Sequence, residues 1–249
     1  MLGVVGNLSI DLVGGGPARI GGGPYYAARA LRLLAARGEV VARCGDADRR
    51  FLGPRLAALG LPTSLLRGER TTTFSFSYDG DRRVMNVDAI GDPWTPRDAR
   101  AIDSRVRWLQ VAPLLRSDFP AETLAVLARG RRLLFDGQGL VRRAESGPLV
   151  LDGDFDPGIL RYVTILKLDE EEAAIVGGVD VPERIVTLGS RGALLYAGGR
   201  KTVVKAQPLA RDPTGAGDAF SAAYLVSRSA GHSPAASARR ATSVVGAAL

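Results

Sequence analysis

The sequence predicts an α/β protein with a mostly parallel central sheet and a small β-lid. Three observations carry that expectation. Short apolar, β-branched runs alternate with helical patterns along most of the chain, the order that builds a parallel sheet covered on both faces. Two stretches break the alternation and read as hairpins. The 249 residues, 46% hydrophobic and 24% charged, have the balance of an ordinary globular protein with a proper core.

In chain order, residues 2–8 read as the first buried strand, and residues 40–44, 106–111, 132–135, 162–166 and 184–188 as later ones. Residues 25–37 are rich in Ala and Leu and follow Gly23-Pro24, with the proline near a first helical turn. Residues 51–59 carry apolar side chains at helical spacing and stop at Gly60; residues 120–128 and 169–176 are similar. Residues 71–78 alternate instead, with Phe74, Phe76 and Tyr78 on one face and Ser75 and Ser77 on the other. Asp79-Gly80 supplies a tight turn, and residues 82–87 return as a partner strand. Residues 11–20 follow the first strand directly and can pair with this hairpin. The lid is therefore expected from about 11–20 and 71–88, over the carboxyl ends of the sheet, within a single domain spanning 1–249. Residues 193–196 and 202–204, split by Gly198-Gly199, read as a second hairpin, and residues 214–229 and 233–248 as two closing helices.

Composition removes several chemistries. The single cysteine, Cys44, excludes an internal disulfide and a multi-cysteine metal site, and the single histidine, His232, removes His-based triads. No apolar run approaches a membrane span. The start, MLGVVGNLSIDL, lacks a basic region and reads as a first strand and not a signal peptide, so the expected location is cytoplasmic. The formal charge of +7 comes from arginine, since Lys167, Lys201 and Lys205 are the only lysines. The arginines are scattered with no aromatic nucleic-acid motif beside them, so the charge reads as surface composition with a bias toward phosphate-bearing ligands, not as nucleic-acid or membrane binding.

The most informative segment runs Arg211-Asp212-Pro213-Thr214-Gly215-Ala216-Gly217-Asp218-Ala219-Phe220. Small residues occupy the turn before a helix. Glycine lets the backbone approach a ligand, and free N–H groups at a helix start form an anion site. An aspartate in that first turn suits the helix dipole, but the dipole does not explain two glycines and an alanine placed so tightly before it. A carboxylate beside a phosphate cradle can take a proton from an attacking hydroxyl.

Residues 212–218 resemble the D-T-x-G-A-G-D signature of the ribokinase-like, phosphofructokinase-B-type sugar kinases, and further matches follow in family order. The resemblance implies a ribokinase-like three-layer sandwich and an ATP-dependent kinase acting with Mg²⁺. Asp218 would be the catalytic base, with the amides of Gly215, Ala216 and Gly217 forming the anion hole. Gly6-Asn7-Leu8-Ser9-Ile10-Asp11 resembles the opening strand that grips substrate hydroxyls, so Ser9 and Asp11 would bind the acceptor. Gly21-Gly22-Gly23-Pro24 resembles the diglycine motif, placing Gly22 and Gly23 against the sugar. Asp169-Glu170-Glu171-Glu172 resembles the N-x-x-E motif, where Glu172 would organise the water shell of Mg²⁺. Residues 186–192 resemble the nucleotide-lining turn, so Asp169, Thr187, Gly189, Gly192 and Thr214 would flank the donor.

The departures from the pattern narrow the acceptor. Asp169 replaces the usual asparagine, Pro213 a threonine, and Ala27 an asparagine that follows the diglycine. With Asp136-Gly137-Gln138-Gly139-Leu140-Val141-Arg142, these features look similar to an inositol-kinase-like branch, and Gln138 would join the acceptor site; a plain surface loop explains that segment equally well. The expected acceptor is a small sugar or cyclic polyol, myo-inositol-like first. A nucleoside kinase of the same superfamily and a non-catalytic nucleotide- or sugar-binding member are the alternatives. Members of the family commonly continue past the point where this chain stops, with a terminal segment and a monovalent-cation loop. The chain is thus expected to be either compact or lacking its end, and to act as a monomer or homodimer.

Overall fold

The computed structural model describes residues 1–79, 82–206 and 215–248, with side chains omitted at 78–79, 82–83 and 246–248. In chain order the strands and helices are β1 (Leu2–Asn7), β2 (Ser9–Val13), β3 (Arg19–Gly21), α1 (Gly23–Leu33), β4 (Gly38–Gly45), α2 (Arg49–Ala57) and β5 (Thr63–Gly68). The lid strands β6 (Thr72–Asp79) and β7 (Arg82–Ala89) come next, then α3 (Pro96–Ala99), β8 (Trp108–Ala112), α4 (Ala121–Leu127) and β9 (Arg132–Asp136). The chain continues through α5 (Gln138–Val141), β10 (Gly147–Pro148), β11 (Ile165–Asp169), α6 (Glu170–Val176), β12 (Glu183–Thr187), β13 (Ala193–Ala197), β14 (Arg200–Val204), α7 (Ala216–Ser229) and α8 (Pro234–Ala248).

The main sheet has the order β14-β13-β12-β11-β9-β8-β1-β4-β5. Its strands from β12 to β5 are mutually parallel, and β13–β14 form an antiparallel hairpin at one edge. Both faces are covered, so the central strands are mostly apolar: every residue of β1 and β8 is buried, the polar Asn7 and Gln110 included. Successive strand residues divide between two cores. Val4, Val40, Leu134 and Ile165 pack with α1, α2, α7 and α8, whereas Val5, Val41, Leu133 and Leu166 pack with the layer built from α3 to α6. The result is a three-layer α/β/α sandwich.

A second sheet, in the order β10-β7-β6-β2-β3, forms the lid. Its core is Phe74, Phe76 and Val87 against Leu114 and Leu115. The chain enters it directly from β1: Leu8, fully buried, separates β1 in one sheet from β2 in the other, and its N–H donates to the Arg43 carbonyl. The lid is therefore larger than the sequence suggests. It begins at Ser9 and not at 11, β2 runs parallel to β6, and the two-residue β10 pairs with β7 at the far edge.

The edge strand β5 is absent from the expected strands, because its stretch has no clean alternation. Two further readings need correction. The strand expected at 162–166 starts three residues later, because residues 157–162 form a 3-10 turn capped by Asp156, whose carboxylate accepts from the Gly158 N–H at 2.8 Å. Residues 136–142 are not a plain loop: they are the end of β9 followed by the short helix α5.

Candidate active site

A cleft of about 550 Å³ opens where the carboxyl ends of the central strands meet the lid. On the lid side it is lined by Ser9 and Asp11 of β2, by Phe74 and Phe76 of β6 and by Met85 of β7. Its floor comes from strand ends: Asp136 of β9, Lys167 and Asp169 of β11, and Thr187 of β12. Helix starts complete it, with Gly22, Gly23 and Tyr26 at α1, Glu170, Glu171 and Glu172 at α6, and Gly215, Gly217 and Asp218 at α7. Gln138, Arg142, Leu114 and Gly189 close the rim.

The start of α7 is shaped by what its glycines leave out. Gly215 caps the helix at φ +80°, a left-handed conformation, and a Cβ there would lie 2.2 Å from the Tyr26 ring. At Gly217 a Cβ would come within 2.8 Å of the Lys167 Nζ, and at Gly23 within 2.7 Å of the Asp218 Oδ1 and 2.4 Å of the Ala112 Cβ. The three bare positions let an aromatic ring, an ammonium and a carboxylate close on one helix start, whose first N–H groups have no intrahelical partner. The Asp218 Oδ1 is sealed from solvent and has no hydrogen-bond partner among the described residues. Burial first, and the Asp136 charge next, push its carboxyl well above the usual carboxylate range, while Lys167 and Arg142 pull the other way.

On the acceptor side the Ser9 hydroxyl donates to the Asp11 Oδ1 at 2.7 Å, and Asp11 packs so closely on Gly21 that a Cβ there would meet its Oδ2 at 2.2 Å. Tyr26 lies between Asp11 and Asp218; burial and both carboxylates push its phenol up to about 12. At the opposite end Asp169 and Glu172 form a reciprocal cap of α6. The Asp169 Oδ1 accepts from the Glu172 N–H and the Glu172 Oε2 from the Asp169 N–H, both at 2.8 Å. Glu172 is 3% exposed, and burial raises its carboxyl above the ordinary range. It is therefore not a solvated first-turn acid. The Gln138 Nε2 donates to the Pro113 carbonyl, anchoring the rim.

Twelve of the residues singled out from sequence meet in this cleft: Ser9, Asp11, Gly22, Gly23, Gln138, Asp169, Glu172, Thr187, Gly189, Gly215, Gly217 and Asp218. Gly192 does not line it; its φ is +106° and a Cβ would meet the Val204 carbonyl oxygen at 1.9 Å, so it serves the turn into β13. The Ala216 methyl packs against the core, and only its amide belongs to the helix start. Thr214 lies outside the described residues, as do Asp212 and Pro213. Sequence reasoning missed Lys167 and Tyr26. The lysine had a signal, a lone cation inside the apolar run Ile165-Leu166-Lys167-Leu168; Tyr26 had none.

The pattern describing the pfkB family of carbohydrate kinases matches residues 17–248. Over 173 residues the chain is 32% identical to an inositol 3-kinase of Zea mays, covering 66% of this chain and 44% of that protein. Over 225 residues it is 29% identical to an inositol 3-kinase of Oryza sativa subsp. japonica, covering 82% and 56%. The chain thus spans about half the length of these curated relatives. Among solved structures it resembles the sulfate complex of a pyrophosphate-dependent kinase in the ribokinase family, with a TM-score of 0.87 and 25% identity over 100% of this chain and 95% of that one. No helix among the described residues is long and apolar enough to cross a membrane.

Proposed function

This chain belongs to the pfkB family of carbohydrate kinases, and from that premise we propose that it phosphorylates a hydroxyl of a small cyclic polyol, myo-inositol-like. The observation that carries the reading is the meeting, in one cleft, of a sealed and unpartnered carboxylate oxygen with a bare helix start. The polyol reading is supported by the Ser9–Asp11 pair, whose carboxylate accepts hydroxyl hydrogen bonds, and by similarity to the two plant inositol 3-kinases.

In the proposed reaction Asp11, Ser9 and the backbone at Gly22 and Gly23 hold the acceptor, with Gln138 at the rim. The chosen hydroxyl oxygen attacks the terminal phosphorus of the donor, its proton passes to Asp218, and the bond from that phosphorus to the leaving phosphate oxygen breaks. The amides of Gly215, Ala216 and Gly217 receive the charge of the phosphoryl group in transit. Asp169, Thr187 and Gly189 flank the donor, and the lid keeps water out.

Magnesium fits the α6 end of the cleft. Glu172 and Asp169 each commit one oxygen to their reciprocal cap and keep the other outside it, which suits a hydrated cation bound mainly through water and phosphate. Bound there, the ion would neutralise donor charge, with Glu172 orienting its water shell.

ATP is the proposed donor. Pyrophosphate is a second reading, favoured by the likeness to a pyrophosphate-dependent kinase. A matrix of ATP or pyrophosphate against myo-inositol, other polyols, sugars and nucleosides, with the product read by ³¹P NMR, tests both choices. Turnover of a polyol supports the acceptor reading, and turnover of nucleosides alone overturns it. Asp218→Asn is expected to lower kcat by at least about 10²-fold while the fold persists. Near-normal turnover in that variant would remove Asp218 as the base.

A further inference from the structure

The lid turns an amphipathic face to the cleft. Side chains alternate along a strand, so Ser9, Asp11 and Val13 share one face of β2, and Phe74 and Phe76 one face of β6. The parallel register sets Asp11 beside Phe74 and Val13 beside Phe76. The antiparallel register carries the same face onto β7, with Phe74 opposite Val87 and Phe76 opposite Met85. Ser9, Asp11, Phe74, Phe76 and Met85 all line the cleft. The face is thus polar at the start of β2 and apolar across β6 and β7. The apolar part is firmly seated. The Phe74 and Phe76 rings are buried, with centroids 6.4 Å apart and planes tilted by 48°, and they pack with Leu114 and Leu115. Met85 is half-buried and packs on the same cluster.

We propose that Phe76 and Met85, opposed across β6 and β7, form with Phe74 a platform for the C–H face of a cyclohexane polyol, so that the lid selects acceptors with one ring face free of axial hydroxyls. The inference deepens the polyol reading and rests on it. A phenyl ring has no hydrogen bond to offer in place of water and a thioether only a weak one, so a hydroxyl pressed on this surface loses its partners at a cost, whereas a C–H group loses none. A ring with hydroxyls around its rim and bare C–H groups on one face meets both demands: the rim turns to Ser9 and Asp11, and the bare face lies on the platform. In its stable chair myo-inositol has such a face, since its single axial hydroxyl stands on the other side. Both faces of scyllo-inositol are free of axial hydroxyls. In chiro-inositol each face carries one. With the face fixed by the platform and the rim by the Ser9–Asp11 pair, few orientations remain in which a hydroxyl can reach Asp218.

The test joins an isomer panel to saturation-transfer NMR. The parent protein is expected to use myo- and scyllo-inositol and to show a kcat/KM for chiro-inositol lower by about 10-fold or more. Met85→Ser and Phe76→Ser, which place a hydroxyl and free space in the platform, are expected to narrow that ratio. Saturation of the protein's aromatic resonances is expected to pass mainly to the axial protons on the bare face of bound myo-inositol, and less so in Phe76→Ser. If the thermal melt shows that Phe76→Ser does not fold, Met85→Ser and the parent's own preferences carry the comparison. Equal use of myo- and chiro-inositol by the parent, or saturation reaching both ring faces alike, overturns this inference and leaves the polyol reading standing. Binding of no inositol isomer, with turnover of nucleosides alone, overturns both.

Discussion

The glycines around α7 differ from ordinary turn glycines in what they make room for. Gly23 has no unusual φ, yet a Cβ on it would press on both the Ala112 methyl and the Asp218 Oδ1. Gly23→Ala is therefore expected to displace the carboxylate and lower kcat by about 10²-fold, since a shift of this kind at a reacting group costs that much. Gly178→Ala, where a Cβ meets nothing within 4 Å, serves as the control and should keep full activity. Comparable losses in both variants would refute the steric argument. At this scale the sequence was legible where a residue type was surprising. Two glycines before an aspartate stood out, and so did a serine two residues before an aspartate at a strand end. Tyr26 did not, because its importance comes from lying over Gly215 and between two acids that are distant in the chain.

Elements were legible where burial on both faces produced long apolar runs, as in β1, β4, β8 and β9. They were missed where a partner set the structure: β5 is an edge strand that pairs with β4 alone, and β10 exists only because β7 is beside it. The turn after β8 shows a device invisible to periodicity. Asp118 is fully buried, and its Oδ2 accepts from the Leu114 N–H at 2.7 Å, bracing a residue shared by cleft and lid. Burial pushes its carboxyl up to about 7, against the opposing pull of the Leu114 amide. A folded pKa above the unfolded one means that the native state binds the extra proton. This group's contribution thus favours folding at low pH and is lost as pH rises from about 4 to about 7. Asp118→Asn is expected to flatten the fall in Tm across that window. An equally steep profile in the variant would show that other groups cause it.

For the whole molecule we propose that residues 1–249 form one cooperative unit with the lid as its appendage. The two cores share the same strands, since alternate residues of β1, β4, β9 and β11 face opposite layers, so neither core survives loss of the other. Calorimetry is expected to show a single transition, and two resolved transitions would divide the domain. The sandwich was readable as an alternation of strands and helices. The extent of the lid was not, because five strands from three separate stretches of chain assemble it. The route between the two sheets has a mechanical consequence. The chain passes from β1 through the single buried residue Leu8 into β2, and Asp11 rides on the far side of that crossing. Leu8 is the one joint between the main sheet and this edge of the lid. On the proposed function, where Asp11 would hold the acceptor, the cover and the grip on the acceptor would be parts of one strand hung from that joint.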